Sequence, residues 1–327
     1  MTMRVALATG NMNLAQWRGA LQQAFDAAGV TAELVPWEGK TLGARYAVAW
    51  LPPRELFDTE PGLRAVFNLG AGVDALLKRD LPTDVPLLRL VDVGMGAKIA
   101  EYVCFALARI TRGLDRFGPG GTRDWNAERP RGRPPTVGVL GAGAIGSKIA
   151  EAAAFFEYDV RTWTRTPRPD GRMRNFYGLD QLDDFLAGTQ VLVNALPLTP
   201  ATDNLLDHSR LARLPAGAHL INVGRGAAIV DADLLALLDS GHLASATLDV
   251  FRTEPLPADH PFWHHAKITV TPHLSGPTPL EPAAVQIAAL LLQLEAGARA
   301  EELPGYVDRT RGYRVPIASS YTHLPAF

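Results

Sequence analysis

Short runs of consecutive apolar residues alternate along this chain with stretches in which apolar residues return every three or four positions. In the first hundred residues, strand-like runs lie at 5–8, 46–51, 64–69 and 87–91, with a helical pattern over 14–28. A further run at 136–140 leads into a helical pattern, and the alternation resumes with strand-like runs at 160–163, 191–196, 219–223, 246–250 and 268–271 and helical patterns at 182–187 and 231–238. Strands alternating with helices predict parallel sheets covered by helices on both faces. The spacing predicts two such α/β domains, one from residues 1–97 with 284–327 and one from 98–283.

Between them a long helix is predicted over 97–117. Ile99, Val103, Ala106, Ile110, Leu114 and Phe117 form one apolar stripe at helical spacing, and Cys104 and Leu107 widen it. An apolar surface of that breadth is expected to serve as a subunit interface as well as core, giving a homodimer. A loop rich in glycine, proline and arginine follows over 118–135, and its Trp125 is expected to pack on the partner near its substrate cleft. A last helix is predicted to open with Thr278-Pro279-Leu280-Glu281 as a capping box and to run to about Gly297.

Composition narrows the class without naming a chemistry. With 327 residues, 47% hydrophobic and 20% charged, the chain has ample core for two domains. A formal net charge of −2 argues against nucleic acid or an acidic membrane as main partner. One cysteine leaves no internal disulfide framework and fits the cytoplasm. The apolar stretch at 283–294 is too short to span a bilayer and is interrupted by Gln286 and Gln293.

The chemistry begins at Gly141-Ala142-Gly143-Ala144-Ile145-Gly146, a G-x-G-x-x-G run set where a strand pattern turns helical. Such glycines allow a tight turn, close approach of backbone to a pyrophosphate, and tight helix-on-strand packing. The N–H groups of Ala144 and Ile145 then open the helix towards the phosphates. After the next strand an NAD site usually carries Asp or Glu for the ribose hydroxyls. Here stand Thr164, Arg165, Thr166, Pro167 and Arg168, which fit a 2′-phosphate, so NADP(H) is the expected cofactor and NAD the alternative.

Three polar residues follow later strands: Arg225 between Gly224 and Gly226, Glu254 before Pro255, and His273 after Pro272. Ligands of open parallel sheets bind beyond the carboxyl ends of the strands. An imidazole moves one proton, a carboxylate holds it protonated, and a guanidinium grips a carboxylate. Beside a nicotinamide, that set suits reversible reduction of a 2-oxo acid, a small-molecule substrate. No metal-like spacing involves the other histidines.

These motifs resemble the D-isomer-specific 2-hydroxyacid dehydrogenase family over nearly the whole chain. The likeness is greatest to its glyoxylate/hydroxypyruvate reductase A group, through Asn68-Leu69-Gly70-Ala71-Gly72-Val73-Asp74, Gly94-Met95-Gly96, Trp163-Thr164-Arg165-Thr166 and Val307-Asp308-Arg309-Thr310-Arg311-Gly312-Tyr313. The resemblance implies a Rossmann-type doubly wound sheet inserted into a smaller flavodoxin-like substrate domain, with ligands in the cleft between. It implies Arg225 as substrate clamp, His273 as acid/base and Glu254 as its partner. It further implies substrate contacts from the backbone of Ala71, Gly72 and Val73, and cofactor contacts from Leu196, Pro197 and Asp249. The expected reaction is NADPH-dependent reduction of glyoxylate or hydroxypyruvate. The alternatives are another D-2-hydroxyacid dehydrogenase substrate, or a regulatory protein that senses NAD(P) on the same fold without turnover.

Overall fold

A computed structural model describes residues 3–10, 12–79, 81–117, 121–122, 124–125, 134–168 and 173–309. The chain divides into two compact units, Met1–Gly94 with Thr278–Phe327, and Met95–Pro277. The junctions therefore fall a few residues before the expected 97/98 and 283/284, because the long helix begins at Met95 and the last one at Leu280.

The first unit holds five strands: β1 (Met3–Ala8), β2 (Ala32–Pro36), β3 (Tyr46–Ala49), β4 (Ala65–Asn68) and β5 (Leu87–Arg89). All neighbours pair parallel in the order β2-β1-β3-β4-β5, the flavodoxin-like arrangement. The central strands β3 and β4 are buried at every position, as a sheet covered on both faces requires. Helix α1 (Leu14–Ala27) is capped by the Asn13 side chain and buries Trp17, Ala20, Leu21, Ala24 and Phe25. Two short helices, α2 (Arg54–Thr59) and α3 (Asp74–Leu77), follow β3 and β4.

The second unit opens with α4 (Met95–Arg112) and carries seven parallel strands: β6 (Val137–Leu140), β7 (Val160–Thr164), β8 (Arg174–Tyr177), β9 (Val191–Asn194), β10 (Ala218–Asn222), β11 (Leu243–Leu248) and β12 (Ile268–Val270). Their order, β12-β11-β10-β9-β6-β7-β8, is the doubly wound Rossmann order extended by one strand. The direction of winding reverses between β6 and β9, which marks the crevice where such sheets bind ligands. Helix α5 (Ala144–Phe155) packs beside α4 on one face, over Val137, Val139, Val191 and Val193. On the other face α6 (Leu182–Ala187), α7 (His208–Leu211) and α8 (Asp231–Asp239) cover a leucine-rich core.

The last helix, α9 (Leu280–Glu295), returns to the first unit and packs against α1. Its Gln286, an apparent interruption of an apolar run, is buried and bonds both Val91 N–H (2.8 Å) and Val91 C=O (2.9 Å). A buried amide here satisfies backbone that has left the sheet ladder.

Three expectations are corrected. The helix predicted over 97–117 ends at Arg112, because Gly113 adopts a left-handed φ of 60°, and a separate 3-10 turn covers Leu114–Arg116. Leu114 and Phe117 thus leave the buried stripe and are exposed, whereas Ile99, Val103, Ala106 and Leu107 remain core. The capping box is not formed, since the N-cap of α9 is Pro279, which makes no side-chain cap. Most of the 118–135 loop, and the motif residues from Thr310 to Tyr313, lie outside the described residues.

Candidate active site

The glycine run behaves as its spacing predicts. Gly141 has a φ of 92°, and its N–H bonds the carbonyl of Trp163 at 2.8 Å, turning the chain sharply out of β6. A Cβ on Gly146 would lie 1.7 Å from the carbonyl oxygen of Gly141, so only glycine lets α5 sit this close to the turn. Around Gly143, by contrast, a Cβ would meet nothing within 4 Å. Gly143 is the N-cap of α5, and among the described residues no hydrogen bond uses the N–H groups of Ala144 or Ile145. That cradle fits a pyrophosphate.

The loop after β7 brings Arg168 to the same helix. Arg168 donates from Nη1 to Ser147 Oγ on α5 at 3.2 Å, and its N–H bonds Asn175 Oδ1 at 3.1 Å. Thr164 Oγ1 donates to the carbonyl of Thr166 at 2.8 Å, which tightens the turn, while Arg165 and Thr166 are exposed. No carboxylate lies between Thr164 and Arg168.

The turn after β9 is built by two buried asparagines. Asn194 donates to Asn222 Oδ1 at 2.9 Å, and its own Oδ1 accepts from Leu196 N–H at 3.2 Å. Asn222 accepts from Gly224 N–H and donates to the carbonyl of Arg225 at 3.1 Å. One amide pair therefore fixes both Leu196-Pro197 and Arg225 at the carboxyl ends of neighbouring strands. The glycines flanking Arg225 serve packing rather than freedom of the arginine. A Cβ on Gly224 would lie 2.7 Å from Leu196 O, and one on Gly226 would lie 1.9 Å from the Phe251 carbonyl carbon.

Arg225, Glu254 and His273 come together. The Nδ1–H of His273 donates to Glu254 Oε2 at 2.7 Å, and Glu254 Oε1 accepts Phe251 N–H at 2.9 Å. The hydrogen bond to Glu254 raises the pKa of His273 against the opposing effect of burial. Burial alone would raise Glu254, but its bonds from His273 and Phe251 outweigh this and hold it below the ordinary value. The charge of Arg225 acts on both groups, favouring the carboxylate and disfavouring the imidazolium. The result is a half-exposed imidazole whose Nδ1 is committed to a carboxylate, leaving Nε2 to exchange a proton.

Asp249 is fully buried, and its observed partners are protein groups: Thr271 Oγ1, Leu274 N–H and Ser275 N–H. Ala71, Gly72 and Val73 belong to the first unit, in the turn after β4. Asn68 donates to the carbonyls of Gly70 (2.9 Å) and Gly72 (3.1 Å), directing that turn. Among the described residues, no hydrogen bond uses the N–H groups of Ala71, Gly72 or Val73.

Residues 103–275 match the model of the D-isomer specific 2-hydroxyacid dehydrogenase, NAD binding domain. The chain belongs to that family. It is accordingly an oxidoreductase with a nicotinamide-dinucleotide-binding Rossmann unit. It is 41% identical over 307 residues to the glyoxylate/hydroxypyruvate reductase A of Yersinia enterocolitica, covering 91% of this chain and 96% of that protein. The reductase A of Serratia proteamaculans is also 41% identical, over 310 residues, 92% of this chain and 97% of the other. Among solved structures, a family member from Xanthobacter autotrophicus Py2 in complex with NADPH and MES is 38% identical, with a TM-score of 0.85 and coverage of 96% and 100%. An NADPH-dependent glyoxylate/hydroxypyruvate reductase from Sinorhizobium meliloti, with NADP and sulfate, is 31% identical with a TM-score of 0.84, covering 95% and 100%. Among the described residues, no helix is long and apolar enough to cross a membrane.

Proposed function

We propose that this dehydrogenase reduces small 2-oxo acids, glyoxylate or hydroxypyruvate, with NADPH in the cytoplasm. The observation that carries the reading is the His273–Glu254 pair at 2.7 Å under the charge of Arg225. The regulatory alternative has no use for a proton donor poised in this way. Bound NADPH supplies the hydride that reaches C2 of the oxo acid. His273 Nε2 delivers the proton to the carbonyl oxygen, Glu254 retains the Nδ1 proton and offsets the imidazolium charge, and Arg225 grips the carboxylate in forked geometry. In the first unit, the Asn68-held turn offers the N–H groups of Ala71, Gly72 and Val73 to a substrate carboxylate. The Gly141–Gly146 turn, Ala144, Ile145, Leu196 and Pro197 would hold the cofactor. Thr164, Arg165, Thr166 and Arg168 favour its 2′-phosphate, and the relatives with NADPH or NADP bound support that preference. A nicotinamide contact from Asp249 rests on the family likeness, since its carboxylate is engaged beneath the 271–275 segment.

A homodimer is part of the proposal. On and just after α4, Phe105 is 64% and Trp125 84% exposed, and Leu114 and Phe117 are exposed with them. Exposed apolar side chains on and after this helix support an interface there, and two-fold dimers are the commonest solution. Trp125 is assigned to the partner's surface.

The deciding experiment is a spectrophotometric assay of NADPH and NADH oxidation against a panel of 2-oxo acids. Fast NADPH-dependent turnover of glyoxylate or hydroxypyruvate is expected. Absence of turnover with every oxo acid would leave the sensing alternative. Light scattering of the wild type and of Phe105→Glu tests the dimer, and a monomeric wild type overturns it.

A further inference from the structure

His273 holds an unusual backbone conformation. Its φ is +51°, in the left-handed region that a residue with a Cβ rarely adopts. Something must hold the segment there, and the hydrogen bonds converge on one residue. Three consecutive N–H groups end on Asp249: His273 on its carbonyl oxygen at 2.9 Å, Leu274 on Oδ1 at 2.9 Å and Ser275 on Oδ2 at 2.9 Å. Asp249 in turn accepts from Thr271 Oγ1 at 2.6 Å, and Thr271 Oγ1 lies 2.7 Å from the hydroxyl of Tyr102 on α4.

The direction of that chain follows from donor counting. Thr271 has one hydroxyl proton, and it goes to Asp249, so at Tyr102 it can only accept. Tyr102 therefore donates, and the chain runs Tyr102 to Thr271 to Asp249 with each bond reinforcing the next. Tyr102 touches neither His273 nor Glu254 through any hydrogen bond.

We propose that Tyr102 and Thr271 are positioning residues, which lock the 271–275 turn through Asp249 so that the His273 ring stays on Glu254. The proposal rests on His273 being the proton donor. It assigns Tyr102 a hydroxyl-dependent role in the reaction from a helix outside the proton-donating group.

The test is Tyr102→Phe, with Thr271→Val and Thr271→Ser as a second, independent pair. The groups acting on the His273 ring are Glu254, Arg225 and Asp249, and those acting on Tyr102 are Thr271, Asp249 and Arg109. Loosening the turn weakens the contact to Glu254, so the alkaline limb of the kcat profile should move to lower pH. Turnover should fall about two- to twelve-fold, the effect of one hydrogen bond, while the KM for the oxo acid and the Kd of NADPH hold. Thr271→Ser should restore the limb that Thr271→Val displaces. A change confined to melting temperature does not move a pH limb. Wild-type pH profiles for both Tyr102→Phe and Thr271→Val overturn the proposal. His273→Gln, assayed in parallel, separates the two ideas. If it retains turnover, the reading of His273 fails. If it is inactive while Tyr102→Phe and Thr271→Val keep wild-type profiles, only the positioning role fails.

Discussion

Glu254 Oε2 lies 2.7 Å from His273 Nδ1, and each group shifts the other towards its charged form. The pKa of His273 lies above its ordinary 6.5, so the imidazolium's contribution to stability is present in full below that value and disappears as pH rises through the raised one. Glu254 lies below its ordinary 4.5, so its contribution is present above that value and is lost as pH falls through the lowered one. Both side chains are partly exposed, and solvent keeps these contributions small. Reduction should proceed at full rate to a pH above 6.5, and Glu254→Gln should bring the alkaline limb of kcat/KM down, as read from pH–rate profiles.

His273→Gln keeps a polar side chain and removes the proton. Turnover should drop about 10²–10⁴-fold with NADPH binding unchanged by fluorescence titration. A drop below about tenfold would assign the proton to another group.

Arg225→Lys tests the clamp. An ammonium cannot reproduce the planar fork, and the loss of one charged hydrogen bond corresponds to about 10–100-fold in kcat/KM for the oxo acid. Steady-state kinetics with glyoxylate and hydroxypyruvate would show it. An unchanged KM and kcat would remove Arg225 from the substrate.

How much of this was legible in the sequence differs by element. The glycine run, the strand alternation and the residues that end strands at Arg225, Glu254 and His273 were readable, because periodicity and strand ends are local. Strand β2 was not, since Glu33 and Pro36 break its apolar run, nor was the edge strand β8, where only Phe176 is buried. The break at Gly113 was masked by apolar residues that keep helical spacing on either side of it. The supports of the site were also hidden. Asn194 and Asn222 look like ordinary loop polars at the ends of VLVN and HLIN, and only the tertiary structure buries them against each other. The signal available was an asparagine closing an apolar strand.

Two glycines of one motif should fail in different ways. Gly146→Ala forces a Cβ into the Gly141 carbonyl, and overpacking of this kind costs about 1–3 kcal/mol, a drop visible in the melting temperature. Gly143→Ala meets only open space at a φ of −74°, so stability should stay within about 0.5 kcal/mol while NADPH affinity falls. An unchanged NADPH affinity in Gly143→Ala would mean the space above Gly143 is not reserved for a ligand.

The loop after β7 decides between the two nicotinamide cofactors, and the geometry selects the variants to use. Replacing Thr164 by Asp would set a carboxylate against the Thr166 carbonyl that the threonine hydroxyl now bonds, so it confounds the local fold with cofactor choice. Arg165 is exposed and can be truncated without disturbing the core. Arg168 is tied to Ser147 on α5, so its truncation also frees a hydroxyl beside the phosphate cradle. Arg165→Ala should raise the KM for NADPH about tenfold or more, the effect of losing one charged hydrogen bond, and leave NADH nearly unchanged. Arg168→Ala should weaken NADPH more than NADH, but weaken both. If the wild type already prefers NADH, or if Arg165→Ala affects the two cofactors equally, the cations of this loop are a solvated surface and the 2′-phosphate is not what they recognise.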